Sequence, residues 1–144
     1  MALPTLYDQI IIDAIKAALA VTAGVNYHVT PLKIFDSQPA PIAQDEMPCY
    51  NVLDDNDDFL QTDSSQTIDD YTLTGFIDIL AADAATARKM RADACKVIKA
   101  NRTWGLANVL DTKIVGIRTN VIDQIGNLVA NKRIEIEVQY RQSA

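Results

Sequence analysis

Residues 66–102 change hydrophobic period once and abruptly, and this limits the folds open to the chain. In QTIDDYTLTGFIDILAA, Tyr71, Leu73, Gly75, Ile77 and Ile79 alternate with Asp70, Thr72, Thr74, Phe76 and Asp78, the period-two signature of a long central strand. From Asp83, a good N-cap, the period becomes helical: Ala87, Met90, Ala94, Val97, Ile98 and Asn101 form one stripe. Arg88, Lys89, Arg91, Lys96 and Lys99 fill much of the remaining surface. Two readings of that side stand open: a solvated face of a helix laid on a sheet, or a basic interface meeting an acidic neighbour.

The flanking segments supply the rest of a sheet. Residues 5–23 predict a helix, with Thr5 as N-cap, Asp8 in a capping-box position and Gly24 just past the end. Its apolar face is unusually broad. Leu6, Ile10, Ala14, Ala17, Ala18 and Val21 make one stripe, and Ile11, Ile12, Ile15 and Leu19 widen it, which suggests burial against the sheet on one side and a neighbouring subunit on the other. VNYHVT, residues 25–30, alternates like a half-buried strand; residues 36–48 carry three prolines and read as an extended loop; CYNVL, 49–53, is a short strand. At the end, TKIVGIRTNVID and KRIEIEVQYR flank QIGNLVAN as a hairpin, with Ile134, Ile136, Val138 and Tyr140 on one face. The expected fold is α+β: a mostly antiparallel sheet of four to five strands packed with two α-helices.

With 144 residues, 49% of them hydrophobic, residues 1–144 fit a single domain, since domains commonly run to about 100–150 residues. The longest apolar stretches are interrupted by Asp13, Lys16, Asp78 and Asp83 and fall short of the roughly 20 residues that span a bilayer. No membrane partner is expected. MALPTLYDQ lacks the basic and apolar regions of a secretory signal, and Cys49 and Cys95 show no CxxC spacing, so both read as reduced thiols in a cytosolic protein. Cys95 reads as a small buried apolar residue of the helix.

Charge is distributed unevenly along the chain. Residues 1–72 carry Lys16 and Lys33 against twelve acids, a net −10, whereas residues 73–144 carry eleven bases against seven acids, a net +4. No Lys or Arg occurs between Lys33 and Arg88. A surface built from that segment repels phosphates, which disfavours sequence-reading nucleic-acid binding.

The acidic stretch NVLDDNDDFLQTDSS places Asp54, Asn56 and Asp58 at the spacing that opens a calcium-binding EF-hand loop. Such a loop needs Gly at its sixth position and a bidentate acid at its twelfth, and these positions hold Phe59 and Ser65. No metal or other cofactor is therefore assigned. The lone His28 has no ligand partners at zinc spacing, and serines 37, 64 and 65 have no nucleophile elbow. Glycines 24, 75, 105, 116 and 126 are scattered, without a phosphate-binding loop. No catalytic residues are assigned, and the chain is not expected to be an enzyme. Residues 54–70 read instead as a mobile acidic loop whose Asp54, Asp55, Asp57, Asp58, Asp63, Asp69 and Asp70 present a negative surface. Arg88, Arg91, Lys99 and Trp104 are the candidates for a subunit interface, with core packing the blander role for Trp104.

Several stretches together resemble the phage tail terminator, or tail-completion, proteins. These are LYDQIIIDAIKAAL leading into NYHVTPLKIF, the segment ending EMPCYNVL, YTLTGFIDILAAD running into ATARKMRADACKVIKA, and the closing NKRIEIEVQYR, which cover most of residues 4–142. The resemblance implies a non-catalytic virion protein that forms a six-fold ring, a homohexamer. It would cap the tail tube, stop its polymerisation and join it to the head or neck, assembling in the host cytoplasm. The implied partners are other copies of itself, the tail tube protein and a neck or head connector protein, with genome DNA passing through the channel without specific binding. The acidic stretch then has two competing uses: a lining that repels DNA, or one half of a contact between subunits. A tube or neck protein that polymerises is the alternative, followed by a small α+β enzyme or ligand-binding domain.

Overall fold

A computed structural model describes residues 3–22, 26–39, 42–62, 68–124 and 127–143. The chain runs α1 (Tyr7–Ala20), β1 (Lys33–Asp36), a short 3-10 turn (Gln44–Glu46), β2 (Cys49–Thr62), β3 (Ile68–Ala81), α2 (Ala84–Ala100), β4 (Val109–Gln124) and β5 (Asn127–Ser143). The five strands form one sheet in the order β1-β2-β3-β5-β4, parallel between β1 and β2 and antiparallel elsewhere. This is the expected α+β architecture.

Both helices lie on one face, α1 over β1 and β2 and α2 over β3, β5 and β4. Alternation explains the layer: Leu73, Ile77 and Ile79 of β3 stand beside Val138, Ile134 and the rest of β5's apolar row, and all are buried under Met90, Val97 and Ile98 of α2 and Ile11, Ile15 and Leu19 of α1. Asp83 caps α2 as its sequence position predicts, its carboxylate accepting from the Thr86 N–H at 2.7 Å and the Thr86 hydroxyl at 3.0 Å. On the opposite face Arg133 makes a paired contact with Asp78, Nε to Oδ1 at 2.7 Å and Nη2 to Oδ2 at 2.9 Å, and lies over the Phe76 ring. A smaller cluster of Ile42, Met47, Cys49 and Leu80, backed by Phe35, closes one end.

Three expectations are corrected. Helix α1 begins at Tyr7 with Leu6 in the cap position and no side-chain cap bond, so Thr5 does not cap it. Residues 26–30 form no strand. Tyr27 and Val29 do pack on the core while their neighbours are exposed, so the alternation was real, but the backbone bonds go to side chains instead of to a ladder. The His28 N–H reaches both Asp93 carboxylate oxygens at 3.0 Å, the Val29 N–H reaches Asp93 Oδ2 at 2.9 Å, and Lys96 Nζ donates to the Asn26 carbonyl at 2.8 Å. The strand in this region is β1, which begins three residues beyond residue 30 and pairs with Cys49–Val52.

The largest correction concerns the acidic stretch. Residues 54–62 continue β2 and 68–70 begin β3, so they are paired strand and not a mobile loop; Asp63 lies outside the described residues. Acids are poor strand formers, but β1 ends opposite Val52 and leaves the outer edge of β2 unpaired beyond it, where charges stay hydrated and discourage edge-to-edge aggregation. Trp104 takes the core-packing role of its two expected ones: it is 7% exposed, with its indole N–H donating to the Thr112 hydroxyl at 2.8 Å.

Candidate functional site

The two long edges of the sheet are chemically opposite. On the β2 edge, Asp54, Asp55, Asp57 and Asp58 are all exposed, and bulges fall between Asp54 and Asn56 and between Phe59 and Gln61. A bulge leaves one residue outside the ladder and turns it out of the pleat. Here the extra residues are Asp55 and Leu60. Gly75 permits the first of these distortions, since a Cβ there would sit 3.0 Å from the Leu53 carbonyl oxygen.

An aromatic row ties this acidic arm to the body. Tyr7 stacks on Tyr140, Tyr140 on Tyr71 at 5.5 Å between ring centroids, and Phe59 meets Tyr71 edge-on. The Tyr140 hydroxyl donates to Asp57 Oδ1 at 2.8 Å. On the inner strand of the arm, Asp69 accepts from the Thr62 hydroxyl and Asp70 from Arg141, so these two acids are engaged within the chain. Phe59 remains 55% exposed and Leu60 52% exposed, an apolar pair in an otherwise acidic stretch of the strand.

Strand β4 forms the other edge, with bulges between Val109 and Asp111 and between Ile114 and Gly116 that turn Leu110 and Val115 outward. Between β4 and α2 lies a groove of about 820 Å³. Ala92, Cys95, Ile114 and Ile117 give it an apolar floor, and Arg91 and Lys99 stand on its rim. Arg88 is exposed one helical turn before Arg91. Among the described residues no carboxylate pairs with Arg88, Arg91 or Lys99, whereas Arg102 just beyond them is held by Asp111 at 2.7 Å. Burial pushes the Cys95 thiol up from its usual range, against the opposing pull of Arg91 and Lys99.

The structure thus brings Arg91 and Lys99 together at one site and Asp54, Asp55, Asp57 and Asp58 at another, on opposite sides of the sheet. Ile114 and Ile117 of the groove floor were not singled out from the sequence. Their signal was present in KIVGIR, where apolar residues break the alternation expected of a one-sided strand.

Among the described residues no three His, Cys, Asp or Glu side chains are grouped so as to hold a metal ion. Register explains why the EF-like triplet fails as a cage: Asp54 stands opposite Gly75 in the helix-side row, while Asn56 and Asp58 stand opposite Thr74 and Thr72 in the other row. No described helix is long and apolar enough to cross a membrane.

No family model and no curated protein matches the chain. Among solved structures, a chain from the virion of a native gene transfer agent particle is similar over 96% of this chain and 91% of that one, at 15% identity and a TM-score of 0.46. That likeness is too slight to bear on function, which rests on the geometry.

Proposed function

We propose that this chain is a structural virion protein that assembles with copies of itself into a ring, caps the end of a phage tail tube, stops its polymerisation and joins it to the head or neck. The observation that carries the reading is the pair of unlike edges on one sheet. An acidic patch on one edge of the sheet and a basic patch beside the other can pair head to tail between copies, and head-to-tail contacts close into rings when the rotation allows. Six-fold closure, the tube protein and the neck or connector protein as partners, assembly in the host cytoplasm and a channel passing DNA all come from the sequence resemblance to tail terminators. The resemblance also supplies the single-domain, non-catalytic character.

The test is growth of the tail tube. Adding the purified chain to polymerising tube protein arrests elongation and leaves tubes with a ring at one end, visible by negative-stain microscopy. Tubes that lengthen unchanged, or copies of this chain incorporated along them, contradict the reading and favour a polymerising tube component.

A further inference from the structure

We infer that the groove between α2 and β4 is the socket for the acidic β2–β3 arm of a second copy of this chain, which seats Phe59 and Leu60 over the apolar floor and sets Asp54, Asp55 and Asp58 against Arg91 and Lys99. This rests on the ring reading above and settles which of its two uses the acidic stretch serves. The acids face a neighbour, not a channel.

Three observations converge on that occupant. The arm and the groove match in composition as well as in sign: an acidic strand edge with two exposed apolar residues beside its acids, and an apolar floor with two unpaired cations on its rim. Neither half is fully engaged within the chain, where Asp58 accepts only from the neighbouring Asn56 amide at 2.9 Å. Phe59 touches Tyr71 with one edge and remains largely exposed, and no described carboxylate reaches Arg91 or Lys99. The two halves also lie on opposite edges of one sheet, at β2 and at β4, so one chain cannot close the contact on itself, whereas a row of chains satisfies every arm and every groove but the last pair.

The bulges specify how the contact forms. Each free edge carries two, which interrupt the regular ladder that strand addition would need. Docking therefore proceeds through side chains entering the groove, and the extra residue Leu60 is turned outward to do so. A fully desolvated aromatic at the centre with charged pairs around it is the arrangement that concentrates binding energy in a few residues.

Cys95 on the groove floor makes a direct test possible, because Cys49 is buried and its thiol is pushed up to about 11, leaving it unreactive. Phe59→Cys and Leu60→Cys are made separately in the full chain, oxidised, and read on a non-reducing gel with native mass spectrometry. The expected result is a ladder of disulfide-linked chains for at least one variant, lost when Cys95→Ser is added. In parallel, an arm reversal (Asp54→Lys, Asp55→Lys, Asp58→Lys) and a groove reversal (Arg91→Glu, Lys99→Glu) each weaken self-association by on the order of tenfold or more, while mixing the two variants restores it because their reversed surfaces again match.

A closed ring with no link at either position overturns the docking but leaves the ring reading standing. Linked chains that never close support the docking and contradict the ring. A chain that stays monomeric at high concentration in every variant overturns both.

Discussion

The Tyr140 hydroxyl donates to Asp57 across 83 residues of sequence, at 2.8 Å, and so fastens the last strand to the acidic arm. Tyr140 is buried while Asp57 reaches solvent, so the bond anchors an exposed edge to the core. Tyr140→Phe keeps the ring stack and removes the bond, at a cost of about 1–2 kcal/mol, and the melting temperature falls accordingly.

The same variant has a pH signature. Burial holds the Asp57 carboxyl above its ordinary range, the Tyr140 bond pulls it down, and Asp8, Asp54 and Asp58 raise it again. A native pKa above the unfolded value means that ionised Asp57 opposes folding, and that this opposition fades as pH falls through the native value. Without the hydroxyl the native pKa rises further, so NMR should show Asp57 titrating at higher pH in Tyr140→Phe. Titration at lower pH contradicts the account.

Asp93 is a different kind of anchor. It is 2% exposed, and it accepts three backbone N–H contacts from residues 28 and 29. Asp93→Ala strands those donors and frees residues 26–30 from α2, costing on the order of 3 kcal/mol. A lower denaturant midpoint with an unchanged slope checks this, and amide exchange at His28 and Val29 should accelerate. Protection that persists in the variant contradicts the assigned role.

Gly75 supplies a third prediction. With the Leu53 carbonyl 3.0 Å from any added Cβ, Gly75→Ala forces the arm's base to shift and destabilises the fold by about 1–3 kcal/mol. Under the docking inference it weakens self-association as well, because the arm leaves its register. Thermal unfolding and sedimentation, read on the same variant, report the two effects separately.

Asp83 predicts an acid dependence of the opposite sign to Asp57. The Thr86 backbone bond, then the Thr86 hydroxyl, hold its carboxyl below the ordinary range. A depressed native pKa gives stability that is present above the unfolded value of about 3.9 and lost as pH falls through the native one. The melting gap between the native chain and Asp83→Ala should therefore be widest near neutrality and close in strong acid. A gap independent of pH contradicts the capping role.

Where the chain's chemistry is local, the sequence was a good guide. Alternation from Tyr71 to Ile79, the Asp83 cap and the rows of Ile134, Ile136 and Val138 each depend on residues a few positions apart, and each appears in place. Strand β1 and the outer half of β2 depend on partners elsewhere. Lys33–Asp36 gains its ladder from β2, and the run from Asp54 to Asp58 becomes strand only because Gly75, Thr74, Leu73 and Thr72 fix the register across from it. Asp93 shows a signal passed over: it lies in phase with Met90 and Val97 on the buried side of α2, where a lone carboxylate must find donors. The groove was half visible. Arg91 and Lys99 were picked out by charge alone, whereas its floor needed β4 to be brought beside α2.

The central claim is that unlike edges of one sheet join copies of this chain head to tail into a closed ring. Native mass spectrometry of the purified full chain, followed through a salt series, tests it most directly. The account predicts one dominant species of six chains, which dissociates as salt screens the contacts between arm and groove. A two-fold dimer, an open distribution of filament lengths, or a monomer unaffected by salt would contradict it.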